Sequence, residues 1–382
     1  MFNCETPYDE ERQECDSPSS CQRWSMKYLR FPRLTKVAVF VLLLIDLSIV
    51  GLLIYSLEPL ITLLRRNDEL FSPKISLVHN DTSSYSGDLS QRKIPRILHQ
   101  TTASSTIPDK WVASQRSCKE TYFEFEYKVS WAICKVDEAA VKQRLKLYEA
   151  CLWTDELARD FISTEYPWFL DNWDGYAFPI QRADAIRYFV LHHYGGIYLD
   201  MDTFCNETIP LEQLEAGPSP HYALFKTTLP TGVTNDFMVS TARHPAYAAA
   251  VSKLPIFYDI TRFWAELQPY ANIMMSSGPL FLSLVVKDYL LGQPSLPSPT
   301  VQVIEPSELS SYITDLESAT WHKADAHALM WLGTRPWTWF LAGAVGLIAG
   351  LYLINYLLLL TCEAFLRKVP SITYAIKESK LA

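Results

Sequence analysis

Two long apolar runs frame the sequence. Val37–Leu57 contains one charge, Asp46, and Trp337–Leu360 contains none. A helix needs about 20 apolar residues to cross a bilayer core about 30 Å thick, so each run is long enough to span a membrane. A buried core helix is the alternative, but few soluble domains hold an uncharged helix of this length. We therefore predict two transmembrane helices, with Asp46 either facing a partner helix or tolerated at mid-helix.

Basic residues around these runs indicate their orientation. Those outside the runs are Arg23, Lys27, Arg30, Arg33, Lys36, Arg367, Lys368, Lys377 and Lys380, and those on the inner flanks are Arg65, Arg66 and Arg335. The positive-inside rule places tails 1–36 and 361–382 in the cytosol and the middle of the chain in a lumen. No small-residue cleavage site follows the first run, which predicts a signal anchor. We expect a multi-pass Golgi membrane protein, with the endoplasmic reticulum as the alternative.

Two further features agree with a lumenal middle segment. Asn80–Thr82 and Asn206–Thr208 match the pattern of N-glycosylation acceptors. The cysteines between the runs, which could form up to two disulfides in an oxidising compartment, are Cys118, Cys134, Cys151 and Cys205. Their pairing is open at this stage. The cysteines expected to be cytosolic and reduced are Cys4, Cys15, Cys21 and Cys362.

The segment between the runs divides into a polar stem at 58–92 and a globular domain at 93–335. Within the domain, strand-like and helix-like patterns of apolar residues alternate. The predicted strands are Ile94–Gln100, Glu120–Val129 and Ile197–Leu199, and the predicted helices are Asp137–Tyr148, Thr154–Glu165 and Ile180–His193. This alternation predicts an α/β fold.

Composition narrows the classes of function. The chain has 382 residues, of which 49% are hydrophobic and 20% charged, so it can bury a large core. The formal net charge is −8 and no basic stripe carries interleaved aromatics, which argues against nucleic-acid binding. The absence of any C-x-x-C pair argues against a structural zinc module.

The segment Gln181–Asp202, QRADAIRYFVLHHYGGIYLDMD, carries most of the chemical information. A Gly-Gly pair ends the predicted helix, a short buried strand follows, and Asp200 and Asp202 project at its end. Alternate residues of an extended chain point to the same side, so the two carboxylates can share a ligand while Met201 faces the core. Paired carboxylates repel each other unless a cation or proton neutralises them, so we predict a divalent metal. A solvated turn is the alternative.

Asp184 and Arg187 lie one turn apart on the predicted helix and share a face. One interpretation is a surface ion pair, which stabilises a helix by about 0.2–0.5 kcal/mol. The other is a hydroxyl acceptor and a phosphate or sugar donor beside the metal. Because the pair precedes Asp200 so closely in sequence, we favour the functional interpretation.

The same segment closely resembles the signature of the glycosyltransferases that carry a DXD sugar-binding motif, in the group that contains fungal mannosyltransferases. Further similar stretches are IPRILHQTT at 94–102, LWTDE at 152–156, TNDFMVS at 234–240, SSGPLFLS at 276–283 and TWHKADAH at 320–327. Together they span nearly all of residues 93–330. With an apolar run on either side, the chain is most similar to the catalytic subunits of inositol phosphorylceramide mannosyltransferases.

The resemblance implies a GT-A-like nucleotide-sugar-binding domain with a mixed central sheet, flanked by one N-terminal and one C-terminal transmembrane helix. The implied metal is Mn²⁺, with Mg²⁺ as the alternative, and its ligands would be Asp200, Asp202 and His322. The implied catalytic residues are Asp184, Arg187, Asp200 and Asp202. The implied donor-binding residues are His99, Gln100, Thr101, Asp184, Arg187 and Tyr198. Those that would contact the sugar or the acceptor are Asn235 and Asp236.

The reaction implied by the resemblance moves mannose from GDP-mannose to the inositol of inositol phosphorylceramide, with retention of the anomeric configuration. A separate membrane regulatory subunit is an expected partner. Two alternatives are open: a hexosyltransferase of the same family that acts on protein glycans, and a non-catalytic membrane subunit that keeps the fold. The intact pair Asp200 and Asp202 argues against the non-catalytic subunit.

One segment departs from the family pattern. Val129–Cys151 intervenes between EYK and LWTDE, which follow each other almost directly in the family. It is either a genuine surface extension or intron sequence carried into a predicted gene product. In the second case Cys134 and Cys151 have no structural meaning.

Overall fold

The computed structural model describes residues 36–71, 75–77, 92–104, 106–123, 126–127, 152–215, 218–228, 231–292, 300–316, 324–333 and 335–378. The chain divides into two compact units, a smaller one of residues 1–51 and 345–382 and a larger one of residues 52–344. Several sequence predictions concern segments outside the described residues, namely Asn80–Thr82, Val129–Cys151 with its helix, and His322. They stay predictions.

A mixed sheet forms the centre of the larger unit. The described strands are β1 Ile97–Thr101, β2 Glu126–Tyr127, β3 Leu152–Trp153, β4 Gly196–Leu199, β5 Thr203–Cys205, β6 Ala223–Thr227, β7 Val233–Ser240, β8 Val301–Ile304 and β9 Ile313–Asp315. The sheet order is β2–β1–β4–β7–β6–β8, with β3 also paired to β1. β7 is antiparallel to both neighbours, and the other pairs of this sheet are parallel. β5 and β9 form a separate antiparallel ribbon. The predicted α/β fold with a mixed sheet is confirmed.

Helices cover both faces of this sheet. The described helices are α1 Lys36–Leu70, α2 Asp109–Thr121, α3 Asp155–Glu165, α4 Leu170–Gly175, α5 Pro179–Tyr194, α6 Leu211–Glu215, α7 Pro245–Thr261, α8 Pro269–Ser276, α9 Pro279–Gly292, α10 Pro306–Leu309, α11 Ala324–Gly333 and α12 Pro336–Glu378, with 3₁₀ turns at Pro167–Phe169 and Arg262–Trp264. One hydrophobic core lies on each face of the sheet, and successive residues of β4 point to opposite cores. Tyr198 packs in the core with α3, α5, α7 and α9, whereas Ile197 and Leu199 pack in the core with α2. Both faces of the sheet are therefore apolar and covered.

The segment that leads to the predicted site follows the sequence interpretation closely. α5 begins and ends within one residue of the predicted helix. Gly195 closes it with φ of 69°, and Gly196 has φ of 103°. A Cβ on Gly196 would lie 2.4 Å from the carbonyl oxygen of Ile97 in β1. Only glycine allows β4 to approach β1 this closely with that backbone conformation.

The prediction of a strand over Glu120–Val129 is wrong in its first part. α2 runs to Thr121, and the strand that the structure describes is confined to Glu126–Tyr127. Tyr122, which lies within the predicted strand, follows α2 directly and is fully buried. Its burial anchors the helix end, and the sequence pattern does not distinguish that role from a strand.

The predicted polar stem at 58–92 begins as part of the folded unit. α1 continues through its first residues, and Leu63 is completely buried in the core shared with α5 and α9. The Lys287 ammonium donates to the carbonyl oxygen of Pro59 at 3.2 Å. Asn67 accepts two hydrogen bonds from the loop before β7, at 2.7 and 2.9 Å. Its polar side chain is thus a structural contact within the larger unit.

Among the described residues, three helical segments are long and apolar enough to cross a membrane: Val37–Leu70, Pro269–Gly292 and Phe340–Cys362. In the most apolar part of the middle segment, which comprises α8 and α9, 61% is buried inside the protein. The corresponding parts of the other two segments are not buried. In the smaller unit, the Asn355 amide of α12 donates to both carboxylate oxygens of Asp46 at 3.2 and 3.0 Å. Asp46 therefore faces a partner helix, as one of the two predicted alternatives states.

A disulfide connects α2 to the ribbon. Cys118 and Cys205 are both buried and are joined across a sequence separation of 87 residues. One pairing among the four candidate cysteines is thereby assigned. β5 begins one residue after Asp202, so this cross-link fixes the chain just beyond the acidic pair.

Replacing Cys118 and Cys205 together by serine is expected to lower the free energy of unfolding by about 2–5 kcal/mol, because the cross-link restricts a long loop in the unfolded chain. Urea denaturation of the purified protein, with and without reductant, measures this. Cys362→Ser, which removes an exposed free thiol, is the control. Equal midpoints for the double variant and the control would contradict a stabilising disulfide.

Candidate active site

The acidic pair lies where β1 and β4 end beside the start of β7. The backbone N–H of Asp200 donates to the carbonyl oxygen of Asp236 at 3.1 Å, and the N–H of Leu316 donates to the carbonyl oxygen of Asp202 at 2.9 Å. Met201 is buried, as predicted. The chain is not extended here, however, because the N–H of Thr203 bonds back to the carbonyl oxygen of Asp200 at 3.1 Å and closes a turn. This turn, Asp200 to Thr203, which we call the acidic turn, is thus held by backbone bonds to β7 and to the residue that follows β9.

Arg187 is the centre of the charged network. One guanidinium nitrogen lies 3.1 Å from the Asp200 carboxylate and donates to the carbonyl oxygen of Asn235 at 2.8 Å. The second lies 3.2 Å from Asp184. Both side chains of the Asp184–Arg187 pair are nearly inaccessible to solvent. Burial lowers the pKa of Arg187, but the carboxylates and Tyr198 outweigh it and raise the pKa overall. The interpretation as a surface ion pair is therefore excluded.

Asp184 ties α5 to two other elements. Its carboxylate accepts from the Asn235 amide at 2.9 Å and from the Ser277 hydroxyl at 3.2 Å. The Asn235 amide also donates to the Tyr188 hydroxyl at 3.1 Å. Burial raises the pKa of Asp184, and Arg187 opposes the rise. Every oxygen of this buried carboxylate has a donor, as a buried charge requires.

The position of Asp200 is fixed by a second contact. The Tyr198 hydroxyl donates to Asp200 at 2.9 Å, so the Thr101 hydroxyl, 2.8 Å away, donates to Tyr198. The guanidinium of Arg187 lies 4.9 Å from the centre of the Tyr198 ring. Tyr198 is completely buried, and burial raises its pKa well above the ordinary value. The Tyr198 hydroxyl therefore contacts Asp200 in this structure.

The other residues expected to bind the donor substrate differ in whether their polar atoms already have partners within the protein. His99 is fully buried, where its Nε2–H donates to the carbonyl oxygen of Gly195 at 2.8 Å and its Nδ1 accepts from the Trp153 indole at 3.2 Å. Both ring nitrogens of His99 therefore have partners within the protein. Gln100 is also buried, but within the described part of the chain neither amide atom has a hydrogen-bond partner. Gln100 and the half-buried Thr101 are the better candidates for ligand contact.

A lysine that the sequence interpretation missed joins the network. Lys226 of β6 forms an ion pair with Asp236 and contacts Asp315 of β9 at 3.3 Å. Its ammonium thus links Asp236, whose carbonyl oxygen accepts from the N–H of Asp200, with β9, the strand that leads to Leu316. A single lysine at the end of the apolar strand segment ALFKT was the available signal. Asp236 keeps one buried carboxylate oxygen without a hydrogen-bond partner among the described residues.

Comparison with known proteins assigns the chain to a family. Residues 108–220 match the glycosyltransferase sugar-binding region containing the DXD motif. Inositol phosphoceramide mannosyltransferase 1 of Schizosaccharomyces pombe is 31% identical over 269 residues, covering 69% of this chain and 72% of the relative. The chain belongs to this glycosyltransferase family.

Other members of the DXD glycosyltransferase family match over shorter shares of their length. A mannosyl phosphorylinositol ceramide synthase of Saccharomyces cerevisiae is 37% identical over 238 residues, covering 61% of this chain and 53% of the relative. The chain thus spans about half the length of the first curated relatives that it matches. Among solved structures, the glycosyltransferase domain of the YGT toxin is 9% identical with a TM-score of 0.38, covering 55% of this chain and 79% of that domain.

The DXD motif of the family corresponds here to Asp200, Met201 and Asp202, and its donor set fits a divalent cation. Carboxylate oxygens are the hard ligands that such ions prefer. Burial raises the pKa of Asp200 to about 7; Asp236 and Asp202 add to the rise, and Arg187 opposes it. The ionised form of Asp200 is therefore disfavoured at the acidic turn, and a bound cation would favour it. Among the described residues, no group of three or more His, Cys, Asp or Glu side chains forms a complete metal site.

The pKa of Asp200 predicts how a cation and pH act on this family member. Because the carboxylate must be ionised to bind metal, Mn²⁺ affinity is expected to fall about tenfold for each pH unit below 7. Without metal, the raised pKa makes the folded state bind the proton more tightly than the unfolded chain. This contribution to stability is therefore present at low pH and is lost as the pH rises through about 7.

Thermal unfolding with and without Mn²⁺, measured below and above pH 7, tests both predictions: the pH dependence of Mn²⁺ affinity and that of stability without metal. Mn²⁺ should raise the melting temperature more above pH 7 than below it. An equal rise on both sides would contradict the assignment of Asp200 as a ligand.

Proposed function

We propose that this chain is a metal-dependent, retaining mannosyltransferase that moves mannose from GDP-mannose to the inositol of inositol phosphorylceramide. The observation that carries the proposal is the acidic turn at the end of β4, where Asp200 is held by Arg187 and Tyr198 beside Asp202. The names of the relatives, which act on inositol phosphoceramide, suggest the acceptor and the sugar. A GT-A-like arrangement of the larger unit is part of this proposal.

The residues divide into those that meet the substrates and those that position them. Asp202 and Asp200 would hold the metal, and His322 would complete its ligands. A bound Mn²⁺ or Mg²⁺ supplies charge stabilisation for the leaving diphosphate. Arg187 and Asp184 are too buried to reach a substrate in this structure, so we assign them to orienting Asp200. Such fixed placement makes the charge of the turn effective without rearrangement during the reaction.

Donor and acceptor contacts are assigned from exposure and from unpartnered polar atoms; Gln100 is fully buried, but neither of its amide atoms has a hydrogen-bond partner among the described residues. Gln100 and Thr101 at the end of β1 would contact the nucleotide, supported by His99 beneath them. Asn235 is buried and its amide donates to Asp184, so we assign it to positioning Asp184. The side chain of Asp236 is about one quarter exposed and would contact a sugar or acceptor hydroxyl. The acceptor hydroxyl would attack from the face on which the diphosphate departs, which retains the anomeric configuration.

The membrane arrangement is proposed as one span in α1 and one in α12, with the larger unit in the Golgi lumen. The buried Cys118–Cys205 disulfide supports an oxidising compartment. Asn206–Thr208 is exposed on the same unit, as a glycan acceptor requires. A separate membrane regulatory subunit is part of the proposal. An acceptor embedded in the bilayer suits a catalytic unit anchored at both ends.

The test is transfer by the purified full-length chain in detergent or nanodiscs with Mn²⁺. A panel of nucleotide sugars is offered with inositol phosphorylceramide and, separately, with a mannosylated glycoprotein. We expect GDP-mannose to be consumed, the lipid to be mannosylated, and the product linkage to be the α-anomer by NMR. Transfer to the glycoprotein alone, or preference for another nucleotide sugar, would overturn the substrate assignment.

A further inference from the structure

The end of α7 exposes a row of large apolar side chains to solvent. Its members, which we call the apolar stripe, are Ile256, Ile260, Phe263 and Leu267, with exposed fractions of 57%, 53%, 83% and 84%. The first three follow the helical repeat through the last turn of α7 and the 3₁₀ turn. Leu267 lies in the turn that follows, where its N–H donates to the carbonyl oxygen of Trp264 at 3.0 Å. Single exposed apolar residues are ordinary, but a contiguous row marks an interaction surface.

The apolar stripe is not the core-facing side of its helix. The core-facing residues of α7 are Tyr247, Ala250, Val251 and Leu254, all buried. The acidic Asp259 and Glu266 lie beside the stripe and are exposed. Arg262 lies 3.5 Å from Asp259, which leaves no cationic excess to attract anionic lipid or acidic protein. The chemistry of this surface is therefore apolar attraction with a nearly neutral rim.

Within the larger unit, hydrogen bonds connect the end of α7, which carries the apolar stripe, through α8 to α11, the helix that precedes α12. The Asn272 amide of α8 donates to the carbonyl oxygen of Thr261 at the end of α7, at 2.9 Å. At the other end of the connection, Asp325 of α11 accepts from the backbone N–H of Tyr270 at 2.8 Å. α11 then leads, within three residues, into α12.

Exposed apolar side chains continue along this path. Met330 and Trp331 on α11, and Trp337 and Phe340 on the first turns of α12, are each about half exposed or more. The Arg335 guanidinium lies 4.2 Å from the Trp331 ring centre. Tryptophan is enriched at the membrane–water interface, where its amphipathic ring lies at the level of the headgroups.

We propose that the apolar stripe inserts into the lipid bilayer, in the leaflet that the first turns of α12 enter. A short helix end with large apolar residues on one side and charges on the other is the composition of an interfacial anchor. The near-neutral rim fits a leaflet without strong negative potential. Insertion would hold the larger unit against the membrane surface, close to an acceptor that is itself a lipid.

Photo-crosslinking in nanodiscs tests the insertion directly. The full-length chain carries p-benzoylphenylalanine in place of Phe263, and a matched variant carries it in place of Phe123, which follows α2 and is 76% exposed. After irradiation in phosphatidylcholine nanodiscs, intact mass spectrometry counts lipid adducts. We expect at least about tenfold more lipid adduct at position 263 than at 123, with no increase when phosphatidylserine is added.

Three outcomes would overturn the proposal: equal adduct yields at the two positions, no lipid adduct at 263, or crosslinks from 263 to a second protein chain. A second arm rests on the proposed lipid acceptor. Phe263→Ser with Leu267→Ser should raise the apparent KM for membrane-embedded acceptor several-fold and leave donor hydrolysis in water unchanged. If the chain transfers no sugar at all, the adduct arm still decides whether the stripe inserts.

Discussion

Asparagine in place of Asp202 is expected to lower sugar transfer by about 10²–10³-fold while the protein stays folded, the size of effect seen when one preorganised charge contact is removed. The change removes a negative charge beside Asp200 but keeps the size of the side chain. The backbone bond from Leu316 that holds the turn does not depend on the carboxylate. Loss of activity would therefore report the electrostatics of the acidic turn and not its shape.

Three measurements define this result: the initial rate of transfer, Mn²⁺ binding by calorimetry, and the melting temperature. Asp160→Asn changes an exposed acidic residue of α3 in the same way and should leave all three unchanged. Full turnover by Asp202→Asn would remove the basis of the metal assignment, as would turnover by Asp200→Ala.

Methionine in place of Arg187 is expected to destabilise the protein by about 3–5 kcal/mol, the cost of removing one partner from a buried ion pair. Asp184 and Asp200 would both lose their cation, and the carbonyl oxygen of Asn235 would lose its 2.8 Å donor. Arg187→Lys keeps the charge but cannot donate to three acceptors in one plane, so we expect only partial recovery.

Urea midpoints of the three forms check this order. Arg159 provides a matched control, because its guanidinium pairs with Asp174 through bonds of 2.8 and 2.7 Å at the surface. Arg159→Met should leave the midpoint nearly unchanged, since solvent already screens that pair. If Arg187→Met were as mild as Arg159→Met, the network around Asp200 would not be structural.

Prediction from sequence succeeded where one local pattern determines one element. The helical repeat before Gly195, the two glycines and the short apolar strand are consecutive, so α5 and β4 follow from neighbouring residues alone. The acidic pair at the strand end and the buried Met201 follow from the same segment. For Asp46, a charge within an apolar run, the sequence left two alternatives, and the contact with Asn355 selects the neighbouring helix.

The remaining features depend on contacts between residues far apart in sequence. Lys226 reaches Asp236 and Asp315 only because β6, β7 and the ribbon meet. The Cys118–Cys205 pairing likewise depends on where α2 packs against β5. His99 was expected at the ligand surface because its strand ends there, but alternation turns its ring into the core. Tertiary packing, not local propensity, decides each of these positions.

The continuity of α1 limits how this protein can be shortened. Removing both apolar runs would be the ordinary way to obtain a soluble form of a protein anchored at both ends. Here the same helix delivers Leu63 to the interior and offers the backbone of Pro59 to Lys287. A shortened version that begins at residue 72, beyond the end of α1, would lack part of its own core. The N-terminal anchor therefore cannot be removed as a whole helix without destabilising the larger unit.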